Sequence, residues 1–210
     1  MASNSQQHLN GNQICAVHVE TTGIDPSFHE ILQLCLLPLD SELKPRKDVM
    51  PFYMNIRPNH PERIDKKHVT YKHERLMQIL NMSYPSDKTI DLFIEWATTK
   101  LKLPFTKWGT RKKIITLSYD LDKAFLVSWL GPLHYTEFFH HDHRDLLAAC
   151  AFLNEQAAFH ANIVPFFKLK LPWIAHVLCI DSAYYNKDCL MRCKVIAECY
   201  KAIALKGLIV

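Results

Sequence analysis

Two side chains that can bind a metal ion stand near the end of the first apolar run. Residues 14–23 read Ile-Cys-Ala-Val-His-Val-Glu-Thr-Thr-Gly. Alternate side chains of a β-strand share a face, so we expect His18 and Glu20 to point in the same direction. Gly23 then permits a sharp turn. A strand that brings an imidazole and a carboxylate to one place before a turn indicates the start of a metal site.

Two more carboxylates lie at junctions between predicted elements. Asp122 opens a helix directly after a strand, where open α/β sheets tend to place ligands. Asp188 begins the last predicted helix, and Tyr184 precedes it by four residues. Carboxylates from distant parts of a chain can hold two hard divalent ions about 3.5–4 Å apart, which promote phosphodiester hydrolysis. In the competing interpretation, Asp122 and Asp188 only cap helices and interact with the helix dipoles.

Hydrophobic periodicity predicts the elements that would position these residues. Apolar runs predict strands at 14–20, 29–38 and 49–56, which form an antiparallel meander, and a fourth strand at 112–119. Apolar residues at helical spacing predict helices at about 87–101 and 186–205, and further helices are expected at about 74–81, 121–130, 144–159 and 171–180. Gly131 and Pro132 end the helix at 121–130, and Gly207 ends the last helix.

This order of elements predicts an α/β domain with a mixed sheet flanked by helices. We expect about five strands, with the fifth within residues 160–170. Residues 1–13 are polar and are predicted to form a disordered leader. Residues 14–210 then form a single domain of ordinary size.

The composition narrows the class of protein. The 210 residues carry a net charge of +4, which is compatible with an anionic partner such as nucleic acid. The seven cysteines lie mostly in apolar runs and include no Cys-x-x-Cys pair, which indicates core residues in a reducing compartment. No apolar run reaches the length of about 18 residues that a membrane span needs, and no signal peptide is evident. We therefore expect a cytoplasmic protein with no membrane partner.

The order of the motifs resembles the DEDD superfamily of 3′–5′ exonucleases, which includes polymerase proofreading subunits and enzymes similar to RNase T. The first motif of that superfamily is Asp-x-Glu-Thr-Thr-Gly, and residues 18–23 read His-Val-Glu-Thr-Thr-Gly. The second motif ends in Phe-Asp-x-x-Phe-Leu, and residues 121–126 read Leu-Asp-Lys-Ala-Phe-Leu. The third places an aspartate early in the last helix, where Asp188 stands. The resemblance spans residues 14–206 and implies an RNase-H-like fold.

The resemblance also implies a set of site residues. Glu20, Asp122 and Asp188 would hold Mg²⁺ or Mn²⁺, and His18 occupies the position of the first metal-bridging aspartate. Tyr184 has the spacing at which one branch of the superfamily places a catalytic tyrosine. Contacts with single-stranded nucleic acid are expected from residues that flank the carboxylates of the first two motifs: Thr21, Thr22, Gly23, Ser118 and Phe125.

The chain departs from the superfamily pattern at three places. His18 replaces an aspartate, residues 116–118 read Thr-Leu-Ser instead of Gly-His-Asn, and Ala183 stands where another branch has its general-base histidine. A carboxylate can bridge two cations, whereas a neutral imidazole offers one lone pair and no charge. We therefore expect a degraded two-metal site with weak or lost nuclease activity, in which Mg²⁺ or Mn²⁺ is a cofactor only if the protein is active.

Three functions remain open on this basis. In the first, the protein binds the 3′ ends of single strands through a damaged metal centre. In the second, it is an active exonuclease that tolerates His18 by using Mn²⁺ or one metal ion, with Tyr184 orienting the water. In the third, the cleft is filled and the domain is a protein-interaction module with a protein partner.

Two further groups of polar residues have alternative interpretations. His140, His141 and His143 could bind a metal ion, although a solvated loop before a helix is the favoured interpretation. Basic residues occur near Trp108 and near Asp188, and either group could contact phosphates or be a solvated surface. These residues are Lys107, Arg111, Lys112 and Lys113 in the first group and Lys187, Arg192 and Lys194 in the second.

Overall fold

One sheet organises the residues that the structure, a computed structural model, describes: 9, 11–67, 69, 73–103, 112–119, 121–161, 164–181 and 188–206. Its strands are β1 (Gln13–Thr21), β2 (Ile31–Pro38), β3 (Phe52–Arg57), β4 (Tyr84–Pro85), β5 (Ile114–Ser118) and β6 (Arg144–Asp145). The described helices are α1 (His73–Asn81), α2 (Ser86–Glu95), α3 (Asp122–Leu130), α4 (Pro132–Phe138), α5 (Leu146–Ala161), α6 (Leu171–Val177) and α7 (Cys189–Lys206). The strand order β4-β3-β2-β1-β5-β6 places β1 in the interior of the sheet.

The central strand β1 has a neighbour along each edge. It pairs antiparallel with β2 and parallel with β5, and β2 in turn pairs antiparallel with β3. The predicted meander and the predicted mixed sheet are therefore confirmed. Every residue of β1 between its two ends is buried. This burial on both faces explains why its sequence is an almost continuous apolar run.

Each face of the sheet carries its own hydrophobic core. Ile14 and Ala16 of β1 face a core that α5, α6 and α7 complete. Val17 and Val19 face the opposite core, which includes side chains of α2, α3 and α4. His18 and Glu20 follow the alternation of Ile14 and Ala16, so they point toward the layer that contains α7. The packing of α7 therefore decides what surrounds these two polar groups.

The sheet differs from the prediction at its two ends. A fifth strand was expected within residues 160–170, but the described residues 164–170 contain no strand. The additional strands are instead β4 and β6, each of two residues, which pair with β3 and β5. Gly131 and Pro132 end α3 as expected, and Pro132 then begins α4, which was not predicted. Proline is favoured in the first turn of a helix because its missing N–H has no partner there anyway.

The described part of the predicted leader packs against the domain. Leu9 is buried in the core next to α7, and the Asn12 side chain accepts a 2.9 Å hydrogen bond from the backbone N–H of Lys113. Gln13 is already part of β1. Residues 9 and 11–13 are thus described with the domain, while 1–8 and 10, the rest of the predicted leader, lie outside the described residues. Among the helices described, none combines the length and the apolar character needed to cross a membrane.

Candidate functional site

His18 and Glu20 lie side by side under α7, as their alternation along β1 predicts. Each residue is 8% exposed, and His18 Nε2 is 3.5 Å from Glu20 Oε1. An isolated carboxylate is costly to bury, so a group of opposite charge must lie close to it.

That group is the guanidinium of Arg192 on α7. Arg192 Nη1 is 2.5 Å from Glu20 Oε1 and 3.0 Å from His18 Nε2, and the Arg192 side chain is 12% exposed. The sequence placed Arg192 along a nucleic-acid path or on the exposed face of the last helix, and the structure contradicts the exposed position. The spacing that could have located it is the four-residue step from Asp188, which puts both side chains on one helix face.

Asp122 joins the site from the first turn of α3. Its Oδ1 accepts a 3.0 Å hydrogen bond from the backbone N–H of Val19, and its Oδ2 accepts one of 3.2 Å from that of Tyr119. Because one bond reaches β1 and the other the end of β5, this buried carboxylate fixes the start of α3 against the sheet. His18 Nδ1 is 3.3 Å from Asp122 Oδ1, a contact that is an ion pair rather than an aligned hydrogen bond.

The charge of His18 follows from these neighbours. Burial disfavours the imidazolium, but the carboxylates of Asp122 and Glu20 outweigh burial and raise the pKa of His18 to about 9. A protonated His18 would be a second cation, beside Arg192, against the carboxylates of Glu20 and Asp122. Arg192 alone already pairs with Glu20 in the absence of a metal ion.

Asp188 stands at the N-terminus of α7. Its Oδ1 accepts a 2.8 Å hydrogen bond from the backbone N–H of Met191, which is the geometry of an N-terminal cap on α7. The thiol of the next residue, Cys189, and ligand atoms of His18 and Glu20 all lie within 4.8 Å of one another. Tyr184, proposed from the sequence as a catalytic residue, lies outside the described residues.

The described donors do not fit a pair of hard divalent ions. Glu20 is held by Arg192, and His18 offers an imidazole where a bridging carboxylate would be needed. Burial raises the pKa of the Cys189 thiol well above its usual value, so this thiol is protonated when no ion is bound. As arranged, Arg192 supplies the positive charge that a metal ion would otherwise bring to Glu20.

A cleft of about 180 Å³ opens beside this charged group. Three residues expected to contact nucleic acid line it: Thr21, Gly23 and Phe125. The other walls are provided by His18, Val19, Ile24, Tyr119, Leu121, Asp122 and Arg192. Apolar walls beside Arg192 could accommodate a base and a phosphate.

The other two residues expected to contact nucleic acid do not line the cleft. Thr22 is fully buried, and its hydroxyl accepts a 2.9 Å hydrogen bond from the backbone N–H of Glu30. Ser118 is also buried, at the end of β5. Gly23 has a packing reason to lack a side chain, because a Cβ there would be 2.3 Å from the ring of His29. In the basic group near Trp108, residues 104–111 are outside the described residues.

Three solved structures of nucleases are similar to this chain. Exonuclease I of E. coli in complex with a dT13 oligonucleotide is 13% identical with a TM-score of 0.62, over 93% of this chain and 41% of that chain. Cell-death related nuclease 4 is 16% identical with a TM-score of 0.66, over 93% of this chain and 64% of that chain. A 3′-exonuclease that recognises the 3′ end of a histone mRNA stem-loop is 17% identical with a TM-score of 0.64, over 94% of this chain and 65% of that chain.

These similarities are structural, and they concern part of each nuclease. No protein-family model matches the sequence, and neither does any curated protein. The chain spans about two fifths of exonuclease I and just under two thirds of the other two nucleases. At such low identity the comparison establishes architecture: the mixed six-stranded sheet with helices on both faces is the RNase-H-like fold of 3′–5′ exonucleases.

Proposed function

We propose that this chain is a nucleic-acid-associated protein with a 3′–5′ exonuclease fold whose two-metal centre has been lost, leaving weak or no nuclease activity. The single observation that carries the proposal is the 2.5 Å contact between Arg192 Nη1 and Glu20 Oε1. Glu20 is one of the carboxylates that the resemblance assigns to the metal ions. An arginine bound to it occupies the charge that a metal ion would otherwise neutralise.

His18 supports the same proposal. In the motif that residues 18–23 resemble, this position is an aspartate that bridges two ions, and here it is an imidazole between Glu20 and Asp122. A divalent ion entering this space would compete with Arg192 for Glu20 and would find one carboxylate fewer than in the motif. Mg²⁺ or Mn²⁺ would therefore bind weakly unless Arg192 moved away.

The cleft supports the assignment of a nucleic-acid ligand. Its walls combine the aromatic and apolar groups of Ile24, Tyr119 and Phe125 with the guanidinium of Arg192. This combination suits a nucleotide, since a base stacks on apolar walls and a phosphate pairs with a cation. The nuclease fold is compatible with that use, and exonuclease I has been solved with a single-stranded oligonucleotide. We propose the 3′ ends of single strands as the ligand.

The test is hydrolysis of end-labelled single-stranded DNA and RNA in Mg²⁺ and in Mn²⁺. We expect no release of mononucleotides by the parent protein and none by His18→Asp alone, because Arg192 still neutralises Glu20. The double variant His18→Asp/Arg192→Gln removes both protein cations and restores the carboxylate, so it should gain slow metal-dependent hydrolysis. Circular dichroism of each variant checks that the fold is retained.

Two results would favour the other functions. Mononucleotide release by the parent at a rate equal to or above that of the double variant, and abolished by Asp122→Asn, would establish an active exonuclease and overturn the proposal. Asn keeps an acceptor for the Val19 N–H, so this variant removes charge with less structural damage than Ala. An absence of salt-sensitive strand binding by the parent would instead favour a protein-interaction module.

A further inference from the structure

The loop between α4 and β6 contains a second group of potential metal ligands, away from the cleft. Its residues, 140–143, read His-His-Asp-His. The loop starts from a fixed point, because the backbone N–H of His140 donates a 2.8 Å hydrogen bond to the carbonyl of Ile114 in β5. It then leaves the sheet and returns to it at β6. A short loop anchored at both ends holds its side chains close together.

Three side chains of this loop already have spacings near those of ligands on one ion. Zn–N and Zn–O bonds of about 2.0–2.2 Å place two ligand atoms of a tetrahedral site about 3.3–3.5 Å apart. His141 Nε2 is 3.4 Å from Asp142 Oδ1, and His140 Nδ1 is 3.9 Å from Asp142 Oδ2. One ligand atom from each of the three residues lies within 4.8 Å of the others. Small side-chain rotations would therefore complete the site.

Backbone contacts within the loop define its conformation when no ion is bound. The N–H of Asp142 donates a 3.1 Å hydrogen bond to His140 Nδ1, and the N–H of His143 donates one of 3.0 Å to the carbonyl of His141. The rings of His140 and His141 stack with their centroids 4.2 Å apart. A metal ion bound by His140 Nδ1 would replace the Asp142 N–H as the partner of that nitrogen.

His143 faces in another direction. Its Nδ1 is 3.2 Å from Nζ of Lys123, which follows Asp122 in α3. His140, His141 and Asp142 would thus supply three ligands and leave at least one coordination position to water.

We propose that His140, His141 and Asp142 form a binding site for a divalent transition-metal ion of the Zn²⁺ type. Two imidazoles and one carboxylate are the ligands that such ions prefer, whereas Mg²⁺ prefers oxygen ligands throughout. A simple surface ion pair between histidine and aspartate would need only one imidazole, and such exposed pairs contribute little to stability. Two imidazoles beside one carboxylate instead supply a ligand set for one such ion.

The experiment measures Zn²⁺ binding by the full chain after chelator treatment and removal of the chelator, by isothermal titration at neutral pH. We expect one ion per chain, and His141→Ala should weaken binding by at least about tenfold, since even residues that only support metal ligands cost that much. His134→Ala is the matched control, because His134 is another exposed histidine beside a carboxylate, 3.7 Å from Glu137, but has no second imidazole in its pair. The control should bind Zn²⁺ like the parent. The His141 side chain is 84% exposed, so its loss should not affect folding.

Cobalt substitution locates the ion, because a thiolate ligand gives a sulfur-to-cobalt charge-transfer band and the loop site contains no sulfur. We expect no such band, and no change in affinity for Cys189→Ser, which alters the trio of His18, Glu20 and Cys189 in the cleft. Lack of one-to-one Zn²⁺ binding by the parent would overturn the proposal. So would equal affinity of His141→Ala and the parent, or a sulfur-to-cobalt band that Cys189→Ser abolishes.

Discussion

The buried carboxylate of Glu20 needs a positive charge close to it. Its side chain is 10% exposed, so its charge is largely removed from water. A divalent ion can compensate such a charge, and so can a side-chain cation. Arg192 is suited to the task because its guanidinium remains charged and can donate several hydrogen bonds at once. The cluster of Glu20, Asp122, His18 and Arg192 is thus balanced without a metal ion.

Loss of Arg192 should therefore destabilise the protein. We expect Arg192→Ala to lower the free energy of unfolding by about 3 kcal/mol, the lower end of the range for breaking a buried ion pair, since His18 remains beside Glu20. Urea denaturation at neutral pH and fixed ionic strength measures the change.

The matched control for Arg192→Ala is an ion pair of similar length on the surface. Lys44 Nζ is 2.6 Å from Glu42 Oε2, and both side chains are more than half exposed. Lys44→Ala should leave the urea midpoint almost unchanged, because solvent screens exposed pairs. Equal midpoints for Arg192→Ala and the parent would show that the Arg192 contact does not stabilise the fold.

The protonation of His18 predicts a specific dependence of stability on pH. Its pKa is raised from 6.5 to about 9 in the folded protein, so the folded state retains a proton that the unfolded state loses as the pH rises. The stabilisation is fully present below pH 6.5 and is lost as the pH rises through about 9. It amounts to at most roughly 3 kcal/mol. The actual loss should be smaller, because deprotonated Nε2 can accept a hydrogen bond from Arg192, 3.0 Å away.

The measurement compares the parent with His18→Gln by urea denaturation from pH 6 to pH 9. We expect the advantage of the parent to shrink as the pH rises through this window. The comparison is needed because buried cysteines such as Cys15 also have raised pKa values and lower the stability at alkaline pH in both proteins. A constant difference between the two proteins across the window would mean that His18 is not protonated in the fold.

At the scale of elements, residue patterns predicted most of the fold. The apolar run of β1 and the helical spacing noted for α2 and α7 gave elements at the expected places, because the burial of an element shapes its pattern of apolar residues. The strands β4 and β6 have two residues each, too few to show an alternation. The helix α4 was missed because Gly131 and Pro132 together are typical of a stop. Gly131 has φ +75°, which lets the chain reverse before Pro132 starts the next helix.

The candidate site was predictable from the sequence only where a local pattern determines which side chains lie together. The alternation along β1 placed His18 and Glu20 together, because a strand has a fixed period. The contact between Arg192 and Glu20 joins residues far apart in sequence, on two elements whose relative rotation no local pattern determines. Sequence spacing therefore identified the carboxylates and missed the cation that neutralises Glu20.

The N-terminus of α7 offers a test of the role of Asp188. As a cap, its carboxylate is needed only as a hydrogen-bond acceptor for the N–H of Met191. Asn caps helices about as well as Asp, so Asp188→Asn should retain the stability of the parent, whereas Asp188→Ala should lose about 1 kcal/mol of unfolding free energy. Thermal and urea denaturation measure both variants. If Asn were as damaging as Ala, the negative charge itself would be required, and a role beyond capping would follow.

At the scale of the whole molecule, the charge of the cleft determines how it could bind a strand. In a two-metal site the ions contact the phosphate, so strand binding depends on divalent cations. Here the cations lining the cleft are Arg192 and protonated His18, which are part of the protein. The chain as a whole also carries a net charge of +4. The cluster as a whole is balanced, so a phosphate beside Arg192 is not repelled and needs no added metal ion to approach.

We therefore expect single-stranded DNA to bind with an affinity that changes by less than about twofold when EDTA replaces Mg²⁺ at constant ionic strength, since Mg²⁺ itself competes for phosphates. Fluorescence anisotropy of a labelled oligonucleotide measures this. The double variant His18→Asp/Arg192→Gln should bind the strand more weakly in EDTA than in Mg²⁺, because its cleft gains negative charge and would need divalent ions to accept a phosphate. A parent protein that released the strand in EDTA would show that metal ions, rather than Arg192 and His18, provide the positive charge in the cleft.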